Sequence, residues 1–169
     1  HPLDDYTLEV QNFTSHQLRD VDLFNGPVKN FTFAGYVQSH TERMGKNDKP
    51  YGVLVLEDYS GAREFRLFGD HYIQFRNYFI VGALLYFSAS IIKRPWDGSL
   101  NVNFNKIHLL SDVSKNLINE INFRMHVNEI NDAFVNELVD VVQKHPGKQN
   151  LKFRISTNKV HLDFLSKKY

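Results

Sequence analysis

The sequence predicts a mainly β protein with some helix (α+β), and three observations support this fold class. Between residues 31 and 110, short runs of alternating apolar and polar residues are interrupted once by a helix-like spacing. From residue 111 onward, another alternating run, a helical pattern and two further runs follow. The 169 residues are 42% hydrophobic and 14% aromatic, which is enough to form a folded core.

Three strands are predicted first. Phe31, Phe33 and Val37 fall on one face of an extended run. After a polar loop at 41–50, two strands form a hairpin turned by Asp58-Tyr59-Ser60-Gly61, in which Gly61 suits the left-handed conformation that such turns need. The predicted inward side chains of this hairpin are Leu54, Leu56, Phe65 and Leu67.

A short helix and two more strands complete the first pattern. Gly69 ends the third strand, helix-like spacing continues to Phe79, and Gly82 ends the helix. Strands at 83–92 and 100–110 are joined by the turn Pro95-Trp96-Asp97-Gly98, and Phe87 is expected in the core. Three strands, a helix and two strands is the order of a five-stranded OB-fold barrel, whose closure would leave no exposed edge.

A lead-in from a preceding domain and two domains are expected along the chain. Residues 1–30 form a helical lead-in, residues 31–110 the OB-fold nucleic-acid-binding domain, and residues 111–169 a small β-α-β-β domain. In the last domain, Asn131 is predicted to cap a helix and Gly147 to adopt the left-handed conformation after its end.

Composition excludes some classes of function. The chain has no cysteine, so disulfides and thiolate metal sites are excluded, and the reducing cytoplasm is the expected location. No apolar run has the length of a membrane span, so no membrane partner is expected. The formal net charge is +1, but residues 1–30 are acidic, with two basic and five acidic side chains.

Binding of single-stranded nucleic acid is expected where OB-folds usually bind it, on the second and third strands and the two flanking loops. The loop between the first two strands and the loop between the last two are both basic, and the second carries a tryptophan. Cations meet phosphates, and rings stack on bases. The candidate DNA-binding residues are Arg43, Lys46, Lys49, Tyr51, Arg66, Lys93, Arg94 and Trp96. Phe68 also points outward, although it could instead pack under the helix.

A catalytic site is not expected in this chain. Asp4-Asp5 and Glu57-Asp58 are sequence neighbours, and neighbours on a strand point to opposite faces, so they do not form a metal-binding pair. The eight histidines show no close ligand spacing, and no glycine-rich phosphate loop occurs. Neither a cofactor nor a metal is therefore expected, and the chain is interpreted as a binding module.

The sequence resembles the C-terminal region of bacterial replicative DNA polymerase III alpha subunits. The segments that carry this resemblance are HPLDDY at the start, FAGYVQSHTERMGKNDKPYGVLVLEDYSGAREFRLFGDHY in the middle and HPGKQNLKFRI near the end. The pattern LEDxSG followed by FRLF also resembles anticodon-binding barrels of class II aminoacyl-tRNA synthetases. Ala89 departs from the polymerase family, in which glycine is frequent. The start at His1 suggests an excised piece, and the end at Tyr169 an incomplete C-terminal domain.

The resemblance implies a role in DNA replication. It implies a parent DNA-directed DNA polymerase, a nucleotidyltransferase that uses Mg²⁺ elsewhere in its sequence. It also implies contacts with other holoenzyme subunits, namely the clamp-loader tau subunit and the sliding clamp. Two alternatives stay open, namely a tRNA-binding barrel of the anticodon type and a protein-docking module that binds no nucleic acid.

Overall fold

The structure, a computed structural model, describes residues 1–45, 48–95 and 97–166. The chain divides into two compact units, His1–Ser114 and Lys115–Tyr169. Each unit is described by itself below. Lys46 and Trp96, both predicted to bind DNA, lie outside the described residues.

The first unit is built on one antiparallel sheet of five strands. Their order in the sheet is β3-β2-β1-β4-β5, so the long first strand pairs with both β2 and β4. Together with a helix between β3 and β4, this is the strand order of an OB-fold, and the predicted fold class is confirmed. The strands are β1 (Val28–Met44), β2 (Pro50–Asp58), β3 (Gly61–Phe68), β4 (Leu84–Lys93) and β5 (Leu100–Leu109).

The register of the predicted hairpin is confirmed. Leu54 lies opposite Phe65, Asp58 lies opposite Gly61, and Gly61 has a φ of 126°. Phe33 on β1 stacks on Phe87 of β4, with ring centroids 4.8 Å apart. Alternate positions on each strand therefore fill one aromatic core. The residues predicted to lie inside are all buried: Leu54, Leu56, Phe65, Leu67 and Phe87.

The barrel is open along one seam, and the expectation that closure leaves no exposed edge is wrong. Among the described residues, no hydrogen-bonded ladder joins β3 to β5. Side chains close the inner side of the seam instead, because the rings of Phe65 and Phe104 lie 5.3 Å apart. Nε2 of His71 lies 2.9 Å from the carbonyl oxygen of Phe104 on β5. This contact gives the carbonyl oxygen a hydrogen-bond partner at the seam.

The lead-in consists of three short helical pieces packed on the barrel. They are a 3₁₀ turn at Asp4–Tyr6, helix α1 at Thr7–Phe13 and a 3₁₀ helix at Leu18–Leu23. Leu3, Leu18 and Val21 are buried. This segment belongs to the same compact unit as the barrel because its apolar side chains enter the common core.

The acidic hairpin turn fixes the lead-in. Asp58 is only 5% exposed, and its Oδ2 accepts a hydrogen bond from the Leu18 backbone N–H at 2.8 Å. Its Oδ1 accepts bonds from the backbone N–H and the hydroxyl of Ser60. The Ser60 hydroxyl oxygen in turn accepts the Arg19 N–H. The turn therefore satisfies backbone groups at the start of the 3₁₀ helix.

Helix α2 (Gly69–Phe75) and a 3₁₀ turn at Arg76–Tyr78 cover one end of the barrel. Gly69 begins the helix with a φ of 55°, a conformation that favours glycine. Tyr72, Phe75 and Phe79 are buried beneath it. Helix α3 (Leu110–Leu117) follows β5.

The second unit has the predicted β-α-β-β order. Strand β6 (Glu120–His126) pairs in parallel with β7 (Asn150–Ser156), and β8 (His161–Leu165) pairs antiparallel with β7. Helix α4 (Asp132–Lys144) connects β6 to β7, and the Asn131 side chain accepts the Phe134 N–H at 2.9 Å, as predicted for the cap.

The predicted left-handed Gly147 is wrong. The described glycines with positive φ are Gly61, Gly69, Gly82 and Gly98. Helix α4 instead ends as His145 leaves the helical conformation, with φ −126° and ψ 65°. Pro146 explains this end, because a proline disfavours the helical conformation of the residue before it.

Candidate nucleic-acid interface

A row of three side chains crosses the outer face of the barrel. The β1–β2 register places Arg43 opposite Tyr51, and the β2–β3 register places Tyr51 opposite Phe68. Gly52 and Leu67, the neighbours of the last two, point into the barrel, so the row faces outward. Arg43 and Tyr51, both predicted to bind DNA, thus lie in one row with Phe68.

The two rings of this row form a stacked pair, in which Phe68 is exposed and Tyr51 is half-buried. Their centroids are 5.2 Å apart with an angle of 24° between the planes, and Phe68 is 55% exposed. The alternative placement of Phe68 under the helix is therefore wrong. The physical reason is the left-handed turn at Gly69, after which α2 buries Tyr72 and Phe75.

A first cleft, of about 560 Å³, adjoins the stacked pair on the side of the β1–β2 loop. The Gly45 N–H donates to the Lys49 carbonyl oxygen at 2.9 Å, which closes this loop. Lys49 and Tyr51, two of the residues predicted to bind DNA, thus line one cleft. The lining residues are Met44, Gly45, Lys49, Pro50, Tyr51, Phe68 and Gly69.

A second cleft, of about 400 Å³, follows the open seam between β3 and β5. It brings together Arg66 of β3 and Arg94 at the end of β4, two predicted binding residues. Arg66 donates from Nε to Glu64 at 2.8 Å, and Arg94 donates from Nη2 to Asn101 at 2.9 Å. Phe68 lines this cleft as well as the first, so the stacked pair connects the two.

Acidic side chains moderate the charge of this surface. Glu64 shares the outer face of β3 with Arg66. Asp97, in the turn after Arg94, accepts hydrogen bonds from the Ser99 backbone N–H and hydroxyl. These bonds, and then the nearby Arg94 guanidinium, lower the pKa of the Asp97 carboxyl. Lys93 is exposed at the end of β4.

Sequence reasoning recognised that Phe68 points outward but did not include it in the site. The signal was available, because Glu64, Arg66 and Phe68 alternate with the inward Phe65 and Leu67. Arg63 also lines the second cleft. Arg63 has the same parity as the inward Phe65 and Leu67, and only its place next to the turn indicated access to solvent. The cleft itself was not foreseen, because the open seam was not expected.

The second unit carries a separate apolar surface. The sheet face that packs on α4 is apolar, and Leu151 on the central strand is its most buried residue. Leu162 and Phe164 on the edge strand β8 are 64% and 48% exposed. On α4, Val141 is half exposed.

Two other kinds of site are absent from the described residues. In that part of the chain, no group of three or more His, Asp or Glu side chains is placed to hold a metal ion. Across the segments 1–45, 48–95 and 97–166, none of the helices has the length and apolar character needed to cross a membrane.

The strand order and the helix between β3 and β4 define an OB-fold module. Comparison with known proteins then gives its relatives. Residues 121–169 match a family model described as the DNA polymerase III alpha subunit, C-terminal domain. The chain is also similar to proteins named DNA polymerase III subunit alpha, at 21% identity in Pseudomonas fluorescens and 22% in Haemophilus influenzae.

These matches confirm the resemblance inferred from the sequence. Each covers 87% of this chain but only 12% and 13% of the two relatives, so the chain spans about an eighth of their length. Among solved structures, the second OB-fold domain of replication protein A from Methanococcus maripaludis aligns with a TM-score of 0.32 and 18% identity. It covers 49% of this chain and 85% of that domain.

Proposed function

We propose that the first unit binds single-stranded DNA across the outer face of β1, β2 and β3, as part of a DNA-replication polymerase. The observation that carries this proposal is the exposed Phe68 ring, which stacks on Tyr51 and connects two clefts lined by Lys49, Arg66 and Arg94. An exposed ring accepts the face of any base, so stacking tolerates sequence, at about 1 to 3 kcal/mol per base. The basic side chains take the phosphates.

The charge balance argues for weak binding. Glu64 lies beside Arg66, and the barrel region 31–110 holds nine basic and seven acidic residues. Few cations are therefore free to neutralise phosphates, and stacking supplies a large share of the affinity. In a larger polymerase, tethering would raise the local concentration of DNA at the barrel.

The test is a fluorescence anisotropy titration with a labelled single-stranded oligonucleotide at several salt concentrations. Phe68→Ala should weaken binding about tenfold or more, with little change in salt dependence, because stacking releases few ions. Phe164→Ala is a matched control, since Phe164 is also half exposed and stacked on one ring, at 5.4 Å from Phe153. It should bind like wild type.

A second variant tests the phosphate contacts. Lys93→Ala combined with Arg94→Ala should weaken all sequences alike and flatten the slope of log K against log salt by about 0.7 for each phosphate that is no longer neutralised. If wild type and all variants bind equally, or none binds in low salt, the barrel is a docking module. Stronger competition by tRNA than by single-stranded DNA would favour the anticodon-type alternative.

For the second unit we propose contacts with other polymerase subunits, of which the clamp-loader tau subunit and the sliding clamp are the candidates that the resemblance implies. The exposed apolar side chains of β8 support this proposal. Leu162→Ser should weaken such a contact, whereas His161→Ser, a change at the next exposed position, should not. Calorimetry with each purified subunit would measure it, and equal binding of both variants would contradict it.

A further inference from the structure

Arg63 lines the second cleft and forms an ion pair with the lead-in segment. It lies on β3 opposite Leu56, one step from the hairpin turn, and its guanidinium lies 5.5 Å from the Phe65 ring centroid. The side chain is 25% exposed and lines the open seam together with Arg66 and Arg94. The seam thus has three arginines along one cleft.

The partner of Arg63 is Asp22, from the 3₁₀ helix Leu18–Leu23 of the lead-in. The ion pair joins Nη1 of Arg63 to Oδ2 of Asp22. The Asp22 side chain is 72% exposed, so water and salt compete for this contact. The contact also leaves the guanidinium incompletely satisfied, because Arg63 Nε is buried without a hydrogen-bond partner among the described residues.

A carboxylate and a phosphate are alternative ligands for the same guanidinium. Each presents a pair of anionic oxygens that can accept two parallel N–H bonds from the arginine fork. The lead-in is acidic overall, with five acidic and two basic side chains in residues 1–30, so its charge opposes DNA at this end of the cleft. Of these five acidic residues, Asp22 forms the ion pair with Arg63 in the cleft.

We propose that the Asp22 carboxylate of the lead-in and a phosphate of single-stranded DNA compete for the guanidinium of Arg63. This inference rests on the proposed function of the barrel and adds a regulatory contact to it. The Asp22 side chain weakens DNA binding while it contacts Arg63, and its displacement adds a third arginine to the phosphate contacts of the seam.

The decisive variant is Asp22→Asn, measured by anisotropy with a labelled oligonucleotide at several salt concentrations. It should bind DNA about two- to fivefold more tightly at low salt, the equivalent of one exposed ion pair. The slope of log K against log salt should steepen by about 0.7, the value for one further phosphate contact on a single strand.

Asp5→Asn is the matched control, because Asp5 is an exposed acid of the same segment and the change removes the same charge. It should leave the salt slope unchanged, since Asp5 lies in the first 3₁₀ turn, outside the segment that holds Arg63. In an Arg63→Gln background, Asp22→Asn should no longer raise the affinity. Circular dichroism and thermal unfolding check that each variant is folded.

The outcomes separate the two proposals. If wild type does not bind single-stranded DNA, the proposed function of the barrel fails. If wild type binds and Asp22→Asn binds no better than Asp5→Asn, the competition is refuted while DNA binding stands. A gain that persists in the Arg63→Gln background also refutes it, because the effect would then be general charge removal.

Discussion

Gly52 makes room for the ring of Tyr72 on the inner face of β2. A Cβ atom at Gly52 would lie 2.3 Å from Cε2 of that ring, which is far closer than packed atoms approach. Tyr72 is fully buried, and its hydroxyl donates to Glu42 at 2.6 Å. Since that hydrogen is used, His40 donates from Nε2 to the same oxygen, at 3.1 Å.

Gly52→Ala should therefore destabilise the barrel. The ring or the strand must move to admit the methyl group, at a cost of about 1 to 3 kcal/mol as for other overpacked cores. Gly26→Ala is the control, because nothing lies within 4 Å of a Cβ there. Urea unfolding measures both, and equal midpoints for the two variants would contradict the close packing of Tyr72.

The pH dependence of stability should report on Tyr72. Burial, and then the bond to the Glu42 carboxylate, raise the pKa of Tyr72 to about 12 from its usual value near 10. The neutral hydroxyl is favoured in the folded state, so its contribution is complete below pH 10 and is lost as pH rises toward 12. The free energy of unfolding should therefore fall over this pH range.

Tyr72→Phe should lower the free energy of unfolding at neutral pH, because Glu42 and His40 lose their partner. The same variant should lose less stability than wild type between pH 10 and 12. Denaturant titrations at each pH measure this difference. Parallel curves for the two proteins would show that Tyr72 does not titrate in that range.

At the scale of elements, a turn and a 3₁₀ helix are joined through Asp58. Two turns of this unit have the same local bonds, because Asp58 accepts from Ser60 as Asp97 accepts from Ser99. Only Asp58, of the two, also accepts a backbone N–H from residue Leu18, forty positions away in sequence. The β2–β3 turn is therefore both a turn and an anchor.

Asp58→Ala should cost about 1.5 to 3 kcal/mol, since a buried carboxylate bond is removed and the Leu18 N–H is left without an acceptor. Asp97→Ala removes the same local bonds and is the control, expected to cost less. Thermal unfolding compares them. Hydrogen exchange at Leu18 should accelerate in Asp58→Ala alone, and acceleration in both variants would argue against a direct anchor.

At the scale of the whole molecule, the two units differ in how much apolar surface they bury. The first contains almost all the buried hydrophobic residues, whereas Leu151 is the buried hydrophobic residue of the second among those described. Burial of apolar area is the main stabilising term, so local stability should follow this difference.

Native-state hydrogen exchange should therefore show lower protection in β6 and β7 than in β1 and β4. The expected difference arises because Leu151 is the one buried hydrophobic residue on the described β6 and β7, whereas β1 and β4 carry several, among them the fully buried Phe33 and Phe87. Binding of a partner to the second unit would raise its protection by mass action. Equal protection factors in the two units without a partner would contradict this interpretation.

The sequence alone determined the strand order, the inward side chains of the hairpin and the resemblance to DNA polymerase III alpha subunits. These follow from period-two alternation and from turn residues such as Gly61, which act over a few neighbouring positions. The tertiary structure alone decided the open seam, the stacked Tyr51–Phe68 pair and the Asp22–Arg63 contact. Each depends on residues brought together from separate strands or segments, and local periodicity carries no information about such distances.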